Sequence, residues 1–574
     1  MGEMKDTTAK KGQFDRRDLM KFGVVSSVTA ALAAPAMVAA QEKAAPTPLE
    51  GNSVLGVNPA DTDKYLAPVR GSFVQKWPGI LESKEVVSST GVGYTVHTGA
   101  GWKNNSGRHG GNGPMDITTS RLAEWTANFS DSMIDSEVER SINHLMLDYL
   151  SCHFSGYETD AGRAAARLSQ RYSGSEFKAT VYGYGISTTP EMAAFANGGM
   201  GRLTDFDDHN SILVASCIAM GEALHCSGKE VMKAIAIAYE IQAALGASRF
   251  TDSPTFVQFD NWDLAVDVAC ACGHLLGLNP DYLGNAISLA LLPHMPMYSR
   301  IGVQTNWKGF HAAEQGRNGV FAALIARDGM TGPPMPFEGR DGLIAHQGAF
   351  GGTIRLPANK EGKLAIVTGH GAGRGGYKRY EAEGTTQTWH GSIVQPLRAW
   401  AKADDIAALE LNNTVYSWQE ICDPPKWDPQ NRETADHSFP YEMARSIIDG
   451  YIYYDSFYRE KYLDPKAREL MSKITVKPDP TIGFENPISV KVTKKNGDVK
   501  VFVASSEPPF KDEEIVAKYK KSVEFHKIKN GDEIMQTWTN FKDVKDIGEA
   551  VAVLKEFRGF SPRPLSDTSP SANS

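Results

Sequence analysis

Cysteine is scarce in this chain: six residues in 574, with no two in a Cys-x-x-Cys pair. That number cannot build a disulfide framework, and the spacing offers no thiolate zinc site or dithiol redox centre. Positive charge is not in excess either. Sixty Lys and Arg stand against 68 Asp and Glu, for a formal charge of -8, so nucleic acid and acidic membrane surfaces have no general attraction for the chain. The 54 glycines and 30 prolines follow no fixed period, which excludes collagen-like and low-complexity classes, and there is no internal repeat. With 41% hydrophobic and 22% charged residues, the chain has apolar mass for a large core and more than one domain.

Long hydrophobic runs are also missing. The nearest to one, Phe22 to Ala40, is interrupted by Gly23, Ser26, Ser27 and Thr29 and makes a poor transmembrane span. It follows Lys10, Lys11 and the pair Arg16-Arg17, and it ends in Val38-Ala39-Ala40 before Gln41. Residues 1–40 therefore read as a bacterial twin-arginine export signal, with delivery to the periplasm and the translocation machinery as a transient partner.

Residues 41–116, rich in Pro, Gly, Asn, Ser and Thr, predict an extended arm. From Ile117 the pattern becomes helical. Val138, Ile142, Leu145, Tyr149 and Cys152 recur at spacings of four and three, one face of a helix. Segments 212–224, 230–245, 264–276, 282–292 and 319–326 are apolar nearly all round and predict buried helices. Beyond Gly362 the signals turn to strands, at 364–367 and 474–476. Ile488, Val490 and Val492 alternate against Val499, Val501 and Val503 around Asn496-Gly497, a hairpin with a type I′ turn. The fold expected is mainly α: a helical domain at 117–379, an inserted α+β lid at 380–508, a return to the helical domain at 509–560 and a mobile tail at 561–574.

Chemistry gathers in four segments. In Arg202-Leu203-Thr204-Asp205-Phe206-Asp207-Asp208-His209-Asn210-Ser211, three carboxylates and an imidazole within five residues can shift one another's pKa and hold a proton near neutrality. The alternatives are helix capping by Asp208 or Ser211, or a divalent metal site on the same acids and His209. Lys308, between Trp307 and Gly309-Phe310, can hold a substrate carboxylate or snorkel to solvent. Tyr377-Lys378-Arg379-Tyr380 reads as a binding pair of cations or a solvated patch. Ala435-Asp436-His437-Ser438-Phe439-Pro440-Tyr441 precedes a helix and doubles as a capping segment. Gly371 to Gly376 fits a dinucleotide-loop pattern, but no apolar helix follows it. Cys270 and Cys272 point apart on one helix and do not suit an iron-sulfur cluster.

The four segments together, with the opening helix ending Leu147-Asp148-Tyr149, resemble the MmgE/PrpD family of 2-methylcitrate dehydratases and cis-aconitate decarboxylases. The resemblance runs from Ile117 to about Pro509. It implies a helical domain with an inserted α+β lid, a homodimer, and a cofactor-free site for a small di- or tricarboxylate. Carried over by motif, Asp205, His209, Lys308 and Tyr441 are the expected catalytic residues, and Lys378, Arg379, Gln387 and His437 the expected substrate-binding ones. The chain lacks several residues that relatives place between Asp208 and His209, and Asn210 stands where Pro is usual. Gln387 replaces a histidine of the decarboxylases, and Thr385 one common among dehydratases. The loss of the decarboxylase histidine at Gln387 and the Ala382 to Gln387 segment, which looks like the dehydratase branch, favour a 2-methylcitrate dehydratase-like enzyme that removes water from a small hydroxy di- or tricarboxylate. The alternatives are a decarboxylase or epimerase of the same family, or a periplasmic carboxylate-binding protein without turnover. In the expected mechanism Lys308 stabilises charge on the substrate carboxylate, His209, oriented by Asp205, moves the proton, and Tyr441 assists.

Overall fold

The computed structural model describes residues 115–172, 177–249, 261–296, 302–339, 342–343, 354, 356–358, 362–368, 376–482, 488–506, 508–560, 563–567 and 569, together with two short strands further upstream. All of these lie in one compact unit, Lys64–Ser574. Residues 1–40, with the expected export signal, and the glycine run 371–375 fall outside the described residues. Within the expected arm, strands β1 (Lys84–Val87) and β2 (Gly93–Val96) pair antiparallel.

The fold is mainly helical, with a small α+β lid. Helices α1 (Ile117–Ala127), α2 (Ser136–Tyr157) and α3 (Asp160–Ser169) are followed by a short hairpin, β3 (Ala179–Val181) and β4 (Ile186–Thr188). Next come α4 (Pro190–Arg202), α5 (Ser211–Ala223), α6 (Gly228–Arg249), α7 (Asp263–Leu275), α8 (Pro280–Leu291) and α9 (Trp307–Arg327). Asp116, Asp135, Thr159 and Asn279 cap α1, α2, α3 and α8 through their side chains, each satisfying amide hydrogens that the first turn leaves unpaired. Helix α5 is buried along almost its whole length, as an all-round apolar helix must be.

Helix α9 packs against both α4 and α7. Gly309 makes the first contact possible, because a Cβ there would lie 2.7 Å from the Leu203 Cα. Any larger residue would push α9, and Lys308 with it, away from the end of α4.

One difference from the sequence reading is local. Residues 365–368 form a helical turn, α10 (Ala365–Thr368), not a strand. The Ala365 amide donates to Glu240 Oε2 at 2.5 Å, so a buried carboxylate takes the bond that a neighbouring strand would have offered. A short apolar run does not distinguish the two states.

The lid holds α11 (Val394–Trp400), β5 (Ile406–Asn413), α12 (Val415–Ile421), α13 (Arg432–Ala435), α14 (Phe439–Asp449), α15 (Arg459–Tyr462), α16 (Pro465–Met471), β6 (Ile474–Pro478), β7 (Ser489–Lys494) and β8 (Val499–Val503). Its sheet runs β6-β5-β7-β8, with β5 and β6 parallel and the other pairs antiparallel. The β7-β8 hairpin exists, but its turn is not type I′. Only Gly497 is left-handed, at φ 93, and its amide bonds back to the Lys494 carbonyl while Lys494 N–H bonds to Asp498. This three-residue loop pairs Val492 with Lys500 and Val490 with Phe502. The added residue shifts the register by one and turns Val499, Val501 and Val503 to the outer face, where each is more than half exposed.

Helices α17 (Asp512–Phe525), α18 (Gly531–Trp538) and α19 (Ile547–Val551) return to the helical domain, where α17 packs on α2. In the tail expected to be mobile, Arg563 is bonded to Asp160 and the carbonyl of Pro564 accepts from Arg163. The helical domain and the lid have separate apolar cores. A small third cluster of Cys152, Phe206, Tyr453 and Tyr454 lies where they meet.

Candidate active site between the helical domain and the lid

The segment joining α4 to α5 turns twice through the left-handed region, at Asp205 (φ 56) and His209 (φ 75), conformations that residues with a Cβ avoid. Arg202, at the end of α4, is what the segment closes around. Its Nη1 donates to Asp205 Oδ1 and, at 3.2 Å, to Asp207 Oδ1, while Nη2 donates to His209 Nδ1 at 2.8 Å. Neither capping alternative is realised. Asn210 is the residue before α5 and makes no side-chain cap, and Asp207 and Asp208 are fully buried. Among the described residues no cluster of His, Cys, Asp and Glu is arranged to hold a metal ion; the acids bond to cations and hydroxyls instead.

Lys378 reaches the same aspartate from the other side. Its Nζ donates to the Asp205 carbonyl at 2.6 Å and to Oδ2 at 2.8 Å, and it is buried, so the solvated-patch reading does not apply. Burial alone would raise the Asp205 pKa, but Lys378, Arg202 and Lys308 outweigh it and hold the carboxyl well below its ordinary range.

The lid supplies the opposite wall. Ser438 caps α14, accepting from Tyr441 N at 3.1 Å with Pro440 in the first turn, and this cap presents the two preceding residues to the cleft. Both oxygens of Asp436 accept from Lys308 Nζ at 2.8 Å, and Oδ1 also accepts from His437 Nδ1 at 2.8 Å. Arg432 Nη1 lies 3.3 Å from Oδ2. Burial would raise Asp436 too, yet Lys308, His437 and Arg432 together lower it. Lys308 is therefore an internal cation paired across the cleft, not a snorkelling surface residue.

Arg202, Asp205, Lys308 and His437 line a small recess in the cleft. Gly384 covers His209: a Cβ there would lie 3.6 Å from Nε2.

The structure thus brings together Asp205, His209, Lys308, Lys378 and His437. It places three expected residues elsewhere. Tyr441 is fully buried in the lid core, its hydroxyl donating to the Ser456 carbonyl. Arg379 binds Glu514 through two nitrogens and lies over the Phe510 ring. Gln387 braces its own loop, accepting from the amides of Arg379 and Tyr380 and donating to the Tyr380 carbonyl. Arg202 and Asp436 were not singled out from the sequence as site residues. Arg202 is the bonded neighbour that links Asp205 to His209.

Comparison with known proteins agrees with this two-walled arrangement. Residues 120–349 match the MmgE/PrpD N-terminal domain and residues 380–539 the MmgE/PrpD C-terminal domain. The chain belongs to the MmgE/PrpD family. Arg202, Asp205, His209 and Lys308 fall in the first match and Asp436 and His437 in the second, while Lys378 lies between the two. Human cis-aconitate decarboxylase is 24% identical over 469 residues, covering 77% of this chain and 94% of that protein. A cis-aconitate decarboxylase-like protein, oryM, of Aspergillus oryzae is 22% identical over 448 residues, covering 71% and 91%. Mouse cis-aconitate decarboxylase is 25% identical over 394 residues, covering 64% and 77%.

Membership of a family of catalytic proteins makes an enzyme the coarse functional assignment. The same relatives correct the expectation of export. They come from human, mouse and Aspergillus, organisms without a periplasm, so the periplasmic location and the twin-arginine machinery as partner are not retained. No described helix is long and apolar enough to cross a membrane.

Proposed function

We propose that the protein is a lyase that removes carbon dioxide from a small unsaturated tricarboxylate of the cis-aconitate type. The relatives' names favour decarboxylation over the dehydration expected from the sequence, and the observation that carries the mechanism is the opposite bonding of two imidazoles. Arginine can only donate, so Arg202 at His209 Nδ1 leaves the His209 proton on Nε2. Asp436, held at low pKa, can only accept, and at 2.8 Å it lies nearer His437 Nδ1 than the Lys308 ammonium does at 3.4 Å, so Nδ1 carries the proton and Nε2 is left to exchange protons.

The two histidines therefore have different work. His209 is held as a neutral hydrogen-bond donor beside a guanidinium, an arrangement that polarises an oxygen without giving up its proton. His437, with a carboxylate to stabilise its cation, moves the proton. Loss of CO2 breaks a carbon–carbon bond, its electron pair forms a new double bond, and the old double bond takes a proton at its far carbon. Protonated His437 supplies that proton and recovers it from water. Lys308, Lys378 and Arg202 stabilise the negative charge that spreads over the remaining carboxylates, most effectively in a small cavity with little water.

Proton NMR of the purified protein with cis-aconitate in D2O tests the reading. The expected product has a new terminal methylene and one deuterium on the saturated carbon that was the far end of the old double bond. Consumption of 2-methylcitrate with no change in cis-aconitate would overturn it in favour of dehydration. The second reading rests on the same Asp436–His437 pair, since a neutral His437 Nε2 can also remove a proton α to a carboxylate. The product separates them: a deuterated unsaturated dicarboxylate from the first reaction, an unsaturated tricarboxylate from the second.

A further inference from the structure

The left-handed turns at Asp205 and His209 persist only if their surroundings impose them, and three helices do so from behind the site. Asp148 of α2 accepts the Asp208 amide at Oδ2, 3.1 Å. Tyr239 of α6 donates to Asp208 Oδ2 at 2.8 Å. Lys518 of α17 donates to the Phe206 carbonyl at 2.6 Å and to Asp148 Oδ1 at 2.5 Å, with its ammonium 3.7 Å from the centre of the Phe206 ring. Lys518 is itself buried and lies 312 residues beyond the carbonyl it holds. A fully desolvated ammonium requires partners in fixed places, and here one of them is the main chain of the segment that carries Asp205 and His209.

We infer that Lys518 is a positioning residue: through the Phe206 carbonyl, the returning helix α17 holds the Asp205–His209 segment in its left-handed form. The segment then keeps Arg202 on His209 and Lys378 on Asp205. The alternative is that Lys518 merely neutralises Asp148, a role that needs no particular geometry at Phe206. The inference rests on the assignment of Asp205 and His209 to the active site.

Two measurements decide it. In the double variant Lys518→Met with Asp148→Asn, the buried ion pair is removed as a unit, the methionine still packs on Phe206, and the side-chain carbonyl introduced in place of the Asp148 carboxylate still accepts the Asp208 amide. Removing both partners restores neutrality, so melting should stay within a few degrees of the parent while kcat falls at least tenfold. A folded double variant with kcat within twofold of the parent overturns the proposal. Hydrogen exchange on the unmodified protein is the second measurement and stands if that variant does not fold. Amides of residues 203–210 should open together with those of α17. Exchange of the segment a hundredfold or more faster or slower than α17 overturns the proposal. Absence of turnover by the parent with every tricarboxylate would instead defeat the functional reading and leave the exchange result standing.

Discussion

Lys308 and Asp436 meet across the cleft with both carboxylate oxygens 2.8 Å from the ammonium nitrogen, although 128 residues separate them. One side chain belongs to the helical domain and the other to the lid, so this ion pair both closes the cleft and sets the height of the cation at its wall. The same carboxylate holds the Nδ1 proton of His437, so one residue governs the substrate-facing cation and the proton carrier together.

Replacing Asp436 by Asn should therefore do more than weaken a contact. The amide can donate to His437 Nδ1, which puts the imidazole proton on Nε2, the wrong nitrogen. A fall in kcat of about 10²- to 10⁴-fold is expected by analogy with carboxylate-to-amide changes in other Asp–His pairs, with nitrogen-edited NMR showing the changed tautomer. Turnover within threefold of the parent would place the proton transfer on another group.

Gly384 is not in the left-handed region, since it is absent from the positive-φ glycines, so its backbone would accept alanine. The added methyl would sit 3.6 Å from His209 Nε2 and 3.8 Å from the Lys378 Cε, in the space over the hydrogen-bond donor. Gly384→Ala should fold normally and raise KM about tenfold or more through lost contact with that donor, at about 1.5 kcal/mol or more for a hydrogen bond to a charged group. Steady-state kinetics check this, with Gly376→Ala, where a Cβ meets nothing within 4 Å, as the comparison.

Tyr441→Phe gives the opposite expectation. The hydroxyl is bonded to the Ser456 carbonyl inside the lid core, so its loss should cost about 1 kcal/mol of stability and leave kcat within threefold. A large fall in kcat without loss of stability would show that Tyr441 reaches the substrate.

Asp208 carries a pH signature. Burial, and then the charges of Asp148 and Asp207, raise its pKa to about 8. A carboxyl raised on folding binds its proton more tightly in the folded state, so the stability it contributes is full below its ordinary pKa and is lost as pH rises from about 4 to about 8. Asp205 and Asp436, both lowered, act the other way, and their contribution disappears as pH falls below the ordinary carboxyl range. Melting temperature should therefore drop on both sides of a mildly acidic maximum. Asp208→Asn should flatten the alkaline side alone; an unchanged alkaline slope would mean that Asp208 is ionised in the folded protein.

The helical domain with its inserted lid, most of the helices, and five of the residues that gather at the cleft were legible in the chain itself. Apolar spacing of four and three marks one helix face, glycine and proline mark the breaks, and Asp205, His209, Lys308, Lys378 and His437 stand in short segments whose chemistry is local. What those side chains do was decided by packing. Arg202 looks like an ordinary cation in the last turn of a helix until the left-handed turns at Asp205 and His209 bring two acids and an imidazole back to it. Tyr441, Arg379 and Gln387 belong to the same segments as true cleft residues, but helix phase and loop bracing direct them into the lid core, toward Glu514 and into their own loop. The β8 valines show the same limit, because alternation fits either face and a single added residue in the turn selects the outer one. Linear spacing determines which groups are near each other in the chain. Which nitrogen of an imidazole carries the proton depends on a partner brought in from a neighbouring turn or across the cleft, and only the folded contacts place that partner.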